Sequence, residues 1–161
     1  MKATSGPPPR RILTVCLGNI CRSPLAAAVL AQHGGAAVEV RSAGLAAKWV
    51  GRPADPPMIA VARAHGYDLT THRACALSAA LLQWADVILA MDHTVLTALR
   101  DRADEHTRPK LSLYLGDRDV PDPFGHPAEA FEKCVALIES GADHHVQPLG
   151  AAGRSATEHT R

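Results

Sequence analysis

Apolar residues along the chain fall into short continuous runs and longer periodic stretches, separated by polar segments that carry Gly, Pro or Asp. Ile12 to Val15 is a β-branched and apolar run that predicts a strand. After a glycine-bearing loop, Pro24-Leu-Ala-Ala-Ala-Val-Leu-Ala-Gln-His predicts a helix stopping at Gly34 and Gly35. Proline suits a first helical turn, where its missing N–H would have no partner in any case. Val38 to Arg41 predicts a second strand, and Asp55 a cap for a helix from Pro56 to His65 that ends at Gly66. Ser78 is positioned to cap a short helix to Trp84. Val87-Ile-Leu-Ala-Met is a continuous apolar strand, and Asp92 can cap a helix through about Ala103. Leu111 to Leu115 makes a fourth strand. Pro127 to Ser140 has the spacing of a last amphipathic helix, with Ala130, Phe131, Cys134, Val135 and Ile138 on one face and a frayed segment beyond Gly141.

Strands that alternate with helices, and that are apolar almost throughout, predict an α/β fold. The expectation is a four-stranded parallel sheet, doubly wound, with helices on both faces. Ligands of such sheets sit at the carboxyl ends of the strands, so the loop after the first strand is the place to look for chemistry. Residues 10–147 are read as one domain. Residues 1–9, with Gly6 and the run Pro7, Pro8, Pro9, are read as a flexible leader, and 148–161 as a disordered tail.

Composition narrows the function classes. At 161 residues, 47% hydrophobic and 20% charged, the chain can close one core. A net charge of +1 without a basic run points away from nucleic acid and from anionic membrane surfaces, so any anion site must be local. Cys16, Cys21, Cys75 and Cys134 lack the C-x-x-C spacing of a zinc site and are too sparse for a disulfide scaffold, which fits a reducing compartment. Cys75 and Cys134 lie in apolar surroundings and read as core. With no apolar run of membrane-spanning length and no secretion signal, the expected location is cytoplasmic, without membrane insertion. Nine histidines without a ligating pattern predict no metal, and nothing calls for a cofactor.

The loop after the first strand reads Val15-Cys16-Leu17-Gly18-Asn19-Ile20-Cys21-Arg22-Ser23-Pro24, a C-x5-R-S pattern between a strand and a helix N-terminus. A phosphate dianion needs several converging N–H donors, and a short loop curling into a helix start points backbone amides inward. Gly18 helps the chain curl, Asn19 tolerates a left-handed backbone, and Arg22 adds a planar fork of donors. The field that binds phosphate also favours a thiolate at Cys16. Residues Leu17 to Arg22 are therefore candidate phosphate binders, with Cys16 as candidate nucleophile. The plainer reading makes Cys16 a buried strand-end cysteine and Arg22 a surface ion-pair partner.

C-L-G-N-I-C-R-S-P resembles the signature of the low-molecular-weight protein tyrosine phosphatases. Ser42-Ala-Gly44, Trp49-Val-Gly51, Ala64-His-Gly66, His72-Arg73, Met91-Asp92 and Asp122-Pro-Phe124 follow in that family's order across roughly residues 11 to 140. The resemblance implies the phosphotyrosine phosphatase I type of fold and hydrolysis of phosphotyrosine through a phosphocysteine on Cys16. It implies Asp122 as general acid and base, in the loop after the fourth strand, over its neighbours Asp117 and Asp119. It also implies that Ser42 and His72 buttress Asn19, while Ser23 can hydrogen-bond the Cys16 sulfur and assist its departure. Trp49 and Phe124, two of six aromatic residues, fall in loops and can wall a slot deep enough for phosphotyrosine, although loop packing explains Trp49 equally well. Where relatives often carry two tyrosines after the acid, this chain has Phe124 and Gly125, which alters the pocket rim.

Relatives with both loop cysteines are reversibly oxidised, so Cys21 is a candidate redox partner of Cys16; a small packing residue is the alternative. The likeness is nearest to bacterial members found with tyrosine kinases of polysaccharide export, which makes such a phosphorylated kinase the expected partner of a monomer or weak dimer. Competing readings are a thioredoxin-coupled arsenate reductase with Cys75 in a relay, a protein-arginine phosphatase, against which Ile20 argues, and a non-catalytic phosphotyrosine-binding module.

Overall fold

A computed structural model describes residues 6–147 of the chain. Four strands, β1 (Arg10–Cys16), β2 (Val38–Gly44), β3 (Val87–Ala90) and β4 (Leu111–Leu113), form one parallel sheet in the order β2-β1-β3-β4. Five helices connect or follow them: α1 (Arg22–Gly34), α2 (Pro56–Ala64), α3 (Ala79–Trp84), α4 (His93–Arg102) and α5 (Ala128–Val146).

The near-continuous apolar strands are explained by two cores. Ile12 packs with Leu25, Val29, Met58, Phe131 and Ile138 from α1, α2 and α5. Its neighbours in β1, Leu13 and Val15, pack on the other face with Leu82, Leu96 and Leu99 from α3 and α4. Both faces of the sheet are covered, so β1 is buried from Ile12 to Cys16 and apolar there except at Thr14, whose Oγ1 donates to Ser23 O at 2.8 Å. The architecture is the doubly wound α/β sheet.

The chain passes from β1 outward to β2, then returns to the other side of β1 with β3. The order of strand addition reverses between β1 and β3, and the segments leaving these two parallel strands diverge on the carboxyl edge of the sheet. The amide of Met91 donates to Val15 O at 3.0 Å and brings the exit of β3 beside Cys16.

Helix caps follow the sequence where a side chain can fold back: Ser78 Oγ accepts from Leu81 N at 3.2 Å, and Asp92 Oδ1 from Val95 N at 2.8 Å. Asp55 departs from expectation. Its side chain caps nothing, and Oδ2 receives the Cys21 thiol instead.

Three further expectations are corrected. β4 stops at Leu113, because after one more ladder bond from Tyr114 N to Ala90 O the chain turns at Gly116, whose φ is 88°. α5 does not end near Gly141 but continues to Val146, with Ala142 and His145 buried along the same face. Gly141 is there for clearance: a Cβ would lie 3.0 Å from the Tyr114 ring. The last turn is tied down by Arg10 Nη1 donating to His145 O at 3.0 Å and by a 2.6 Å contact between His145 Nε2 and Tyr114 O. Finally, Cys134 is buried as expected but Cys75 is exposed, because it sits on the loop before α3 rather than in a packed element. Of the expected leader, residues 6–9 are exposed and outside any helix or strand, and 1–5 lie outside the described residues, as does the whole of the expected tail, 148–161.

Candidate active site

β1 ends at Cys16 and α1 begins at Arg22, so the segment between them crosses from strand to helix in five residues. The reversal is taken by Asn19, which has φ 59° and no exposed surface. Every polar group of Asn19 is engaged. Its amide N–H donates to Cys16 Sγ at 3.2 Å, Nδ2 donates to Ser23 Oγ at 2.8 Å and Ser42 Oγ at 2.9 Å, and Oδ1 accepts from Cys75 N at 2.9 Å. Its carbonyl lies 2.7 Å from His72 Nε2. Burial holds the His72 pKa below its ordinary value despite that contact, which favours a neutral ring donating to Asn19 O. Asn19 thus ties the loop to β2 and to the segment after α2.

Gly18 was expected to help the loop curl, yet the left-handed turn belongs to Asn19. Gly18 makes room instead: a Cβ there would stand 2.7 Å from Trp49 Cδ1. Gly44, at the end of β2, is under a harder constraint, since its Cβ would lie 2.9 Å from the Gly18 carbonyl carbon and 3.0 Å from Asn19 N.

Cys16 is buried at the floor of a cavity of about 260 Å³, with its sulfur 3.0 Å from Ser23 Oγ. Arg22 is also buried. Nη1 donates to Asp92 Oδ2 at 2.7 Å and to Val120 O at 2.8 Å, and Nη2 lies 3.7 Å from Asp122 Oδ2. Burial works against charge on the guanidinium, but the Asp92 hydrogen bond, with Cys16 and Asp122 nearby, holds its pKa above the ordinary value. Arg22 is therefore cationic and held at one end, with the other toward the cavity.

Trp49 and Phe124 both line the cavity, their ring centroids 5.6 Å apart in an edge-to-face arrangement at 64°. Asp122 lies on the wall, half exposed, with Oδ1 accepting from Phe124 N at 3.1 Å. Of its two neighbours, Asp119 is occupied by His93, accepting from its amide at 2.8 Å and contacting its ring at 2.6 Å, and Asp117 does not line the cavity.

Cys21 is buried beside the floor. Its Sγ donates to Asp55 Oδ2 at 3.6 Å, and burial, reinforced by the Asp55 and Asp122 carboxylates, drives its pKa upward. All four cysteines are free thiols.

The structure therefore gathers Cys16, Leu17, Gly18, Ile20, Cys21, Arg22, Trp49, Asp122 and Phe124 around one cavity, and places Asn19, Ser23, Ser42 and His72 behind it. Sequence reading missed the second role of Asp92, whose Oδ1 caps α4 while Oδ2 holds Arg22, because a cap signature accounts for that residue completely. It also missed Asp55 as partner of Cys21. Among the described residues no group of three or more His, Cys, Asp or Glu is arranged to hold a metal ion, and no helix is long and apolar enough to cross a membrane. A buried sulfur under a fixed guanidinium, with a carboxyl on the wall of an aryl-sized slot, can hold a phosphate monoester end-on.

Comparison with known proteins agrees with this geometry. Residues 11–155 match the family described as low molecular weight phosphotyrosine protein phosphatase. The chain is 39% identical over 145 residues to a probable low molecular weight protein-tyrosine-phosphatase, EpsP, of Ralstonia nicotianae, covering 89% of this chain and 99% of that one. It is 40% identical over 144 residues to the low molecular weight protein-tyrosine-phosphatase Wzb of Salmonella typhi, covering 88% and 95%. Among solved structures it is similar to Vibrio vulnificus Wzb in complex with benzylphosphonate, with a TM-score of 0.80, 36% identity, and coverage of 85% and 97%.

Proposed function

The chain belongs to the low molecular weight phosphotyrosine protein phosphatase family, and on that premise we propose that Cys16, Arg22 and Asp122 carry the reaction. The family hydrolyses phosphotyrosine in proteins through a cysteine nucleophile. In our reading Cys16 Sγ attacks phosphorus in line, while Arg22 and the amides of Leu17 to Arg22 hold the three equatorial oxygens. Asp122 gives its proton to the departing tyrosyl oxygen, then takes one from the water that cleaves the phosphocysteine. Ser23 donates to the leaving sulfur in that second step, and Asn19, Ser42 and His72 keep the loop in shape. Trp49 and Phe124, packed edge to face, give the phenyl ring an apolar wall, and the depth of the slot stops phosphoserine short of Cys16. No metal or cofactor enters the cycle.

One observation supports these roles above the rest: Arg22 sits between Asp92 and Asp122 at 2.7 and 3.7 Å and shares a cavity with Cys16. A buried guanidinium anchored at Nη1, with Nη2 bordering the cavity that Cys16 lines and only loosely met by Asp122, is placed to take up an anion there.

The finer readings belong here too. The phosphotyrosine is that of a bacterial protein, and the likeness to Wzb and EpsP supports a tyrosine kinase of polysaccharide export acting with a cytoplasmic phosphatase. Cys21 is the resolving thiol if Cys16 is oxidised. The domain spans residues 10–147. A thioredoxin-coupled arsenate reductase finds no support, since Cys75 does not line the Cys16 cavity.

The test is hydrolysis of p-nitrophenyl phosphate and of a phosphotyrosine peptide with chelator present. Wild type should turn over both, and Cys16→Ser should lose roughly a thousandfold or more. Absence of turnover in fully reduced wild type defeats the proposal. Asp122→Ala separates catalysis from a binding module: it should still bind the phosphopeptide but hydrolyse it roughly a hundredfold or more slowly.

A further inference from the structure

The mouth of the Cys16 cavity is electrostatically lopsided. On the Trp49 side, residues 45–53 and 69–78 contain Lys48, Arg52 and Arg73 and no Asp or Glu. The two segments are paired, Gly51 N donating to Ala74 O and Ala74 N to Arg52 O, both at 2.8 Å, so Arg52 and Arg73 flank the same contact. Lys48 lines the cavity and holds its Nζ 5.0 Å from the centre of the Trp49 ring. All three side chains are exposed, and among the described residues none has a carboxylate within 4.0 Å.

The Phe124 side is the reverse. Residues 116–127 carry Asp117, Asp119 and Asp122 against the single guanidinium of Arg118. Around the cavity, Leu17 is 52% exposed and Phe124 46%, and Val50, next to Trp49 in the chain, is 53% exposed. Large apolar side chains left in water around a catalytic cavity mark a surface that a polypeptide covers.

We infer that this mouth selects phosphotyrosine flanked on one side by acidic residues, which Lys48, Arg52 and Arg73 receive. The inference rests on the reading of the cavity as a phosphotyrosine site. A substrate chain crossing the mouth extends one flank over Lys48 and the paired loops and the other past Asp117, which is exposed and has no cation within 4.0 Å among the described residues. Acidic residues on the first flank meet uncompensated cations, whereas on the second they meet like charge. Arg73 Nη1 donates to His72 O at 2.7 Å, which steadies the guanidinium without neutralising it. Exposed ion pairs are individually weak, but three cations with no carboxylate partner act together and raise the rate of encounter.

The experiment measures kcat/KM of the full chain on three phosphotyrosine peptides at low ionic strength: three glutamates before the phosphotyrosine, three after it, and a neutral control. One acidic peptide should exceed the control by roughly fivefold or more, the other should not, and the preference should fade as salt is raised. In Lys48→Gln/Arg52→Gln/Arg73→Gln the ratio of favoured to neutral peptide should fall toward one. Turnover of all three peptides with no acidic preference, equal gain from both acidic peptides, or a preference that survives the triple substitution each overturns the inference and leaves the phosphatase intact. No turnover of any peptide or of p-nitrophenyl phosphate overturns the phosphatase reading, and the inference with it.

Discussion

Asp92 holds Arg22 with one carboxylate oxygen and the first turn of α4 with the other: Oδ2 is 2.7 Å from Arg22 Nη1, and Oδ1 accepts from Val95 N at 2.8 Å. The helix that packs on the back of the sheet thereby sets the angle of the guanidinium at the front.

The two functions of Asp92 can be separated. Asn caps a helix as well as Asp does but carries no charge, so Asp92→Asn should keep the α4 cap and lose most of the grip on Arg22. We expect kcat/KM for p-nitrophenyl phosphate to fall about tenfold or more in both Asp92→Asn and Asp92→Ala. Ala should cost about 1 kcal/mol more stability than Asn, read by urea unfolding. Wild-type kcat/KM in Asp92→Asn would remove Asp92 from the positioning of Arg22.

Ser23 Oγ is 3.0 Å from Cys16 Sγ and accepts from Asn19 Nδ2, so its one proton chooses between the sulfur and the more distant Ala43 O at 3.4 Å, and a sulfur carrying negative charge draws it. Its help is needed most when sulfur leaves phosphorus. Ser23→Ala should slow the second chemical step by roughly tenfold or more and show a burst of p-nitrophenol before steady turnover. Rapid-quench kinetics with slower turnover and no burst would place its effect before the intermediate.

Two glycines of the site should fail in different ways. Gly44→Ala presses on backbone, 2.9 Å from the Gly18 carbonyl carbon, and should cost about 1–3 kcal/mol while weakening inhibition by inorganic phosphate. Gly18→Ala presses on the Trp49 ring, and its main effect should be a higher KM for aryl phosphates with a smaller loss of stability. Thermal unfolding and phosphate inhibition of the two variants decide this; equal stability losses would contradict it.

Stability should depend on pH through His145. Burial, despite the contact to Tyr114 O, holds its pKa below the ordinary 6.5, so the unfolded chain takes up the proton first as pH falls. Its contribution is whole above that value and is lost as pH drops through it toward the folded pKa. His145→Gln keeps a donor for Tyr114 O without titrating. Between about pH 7.5 and pH 5 the wild type should therefore lose more unfolding free energy than the variant. Parallel curves would show that His145 is not the group responsible.

The strand-loop-helix unit around Cys16 and the capped starts of α3 and α4 could be read from the chain because each depends on neighbours a few residues away. Ser78 and Asp92 bond amides three residues on, and the C-x5-R spacing is itself a local geometry. Gly141 was misleading for the complementary reason. As a glycine it reads as a helix stop, and only the Tyr114 ring against α5 turns it into a clearance.

The order of apolar and polar residues determined the alternation of strands and helices and the two-faced burial of the sheet, since these follow from periodicity and side-chain size. It also brought Cys16 and Arg22 into one loop. Tertiary structure decided what surrounds them: Asp92, 70 positions from Arg22, reaches it because β1 and β3 are neighbours, and Asp122 stands on the wall because the chain after β4 comes back over the same edge. Distances of that kind depend on strand order, which no stretch of sequence a few residues long encodes.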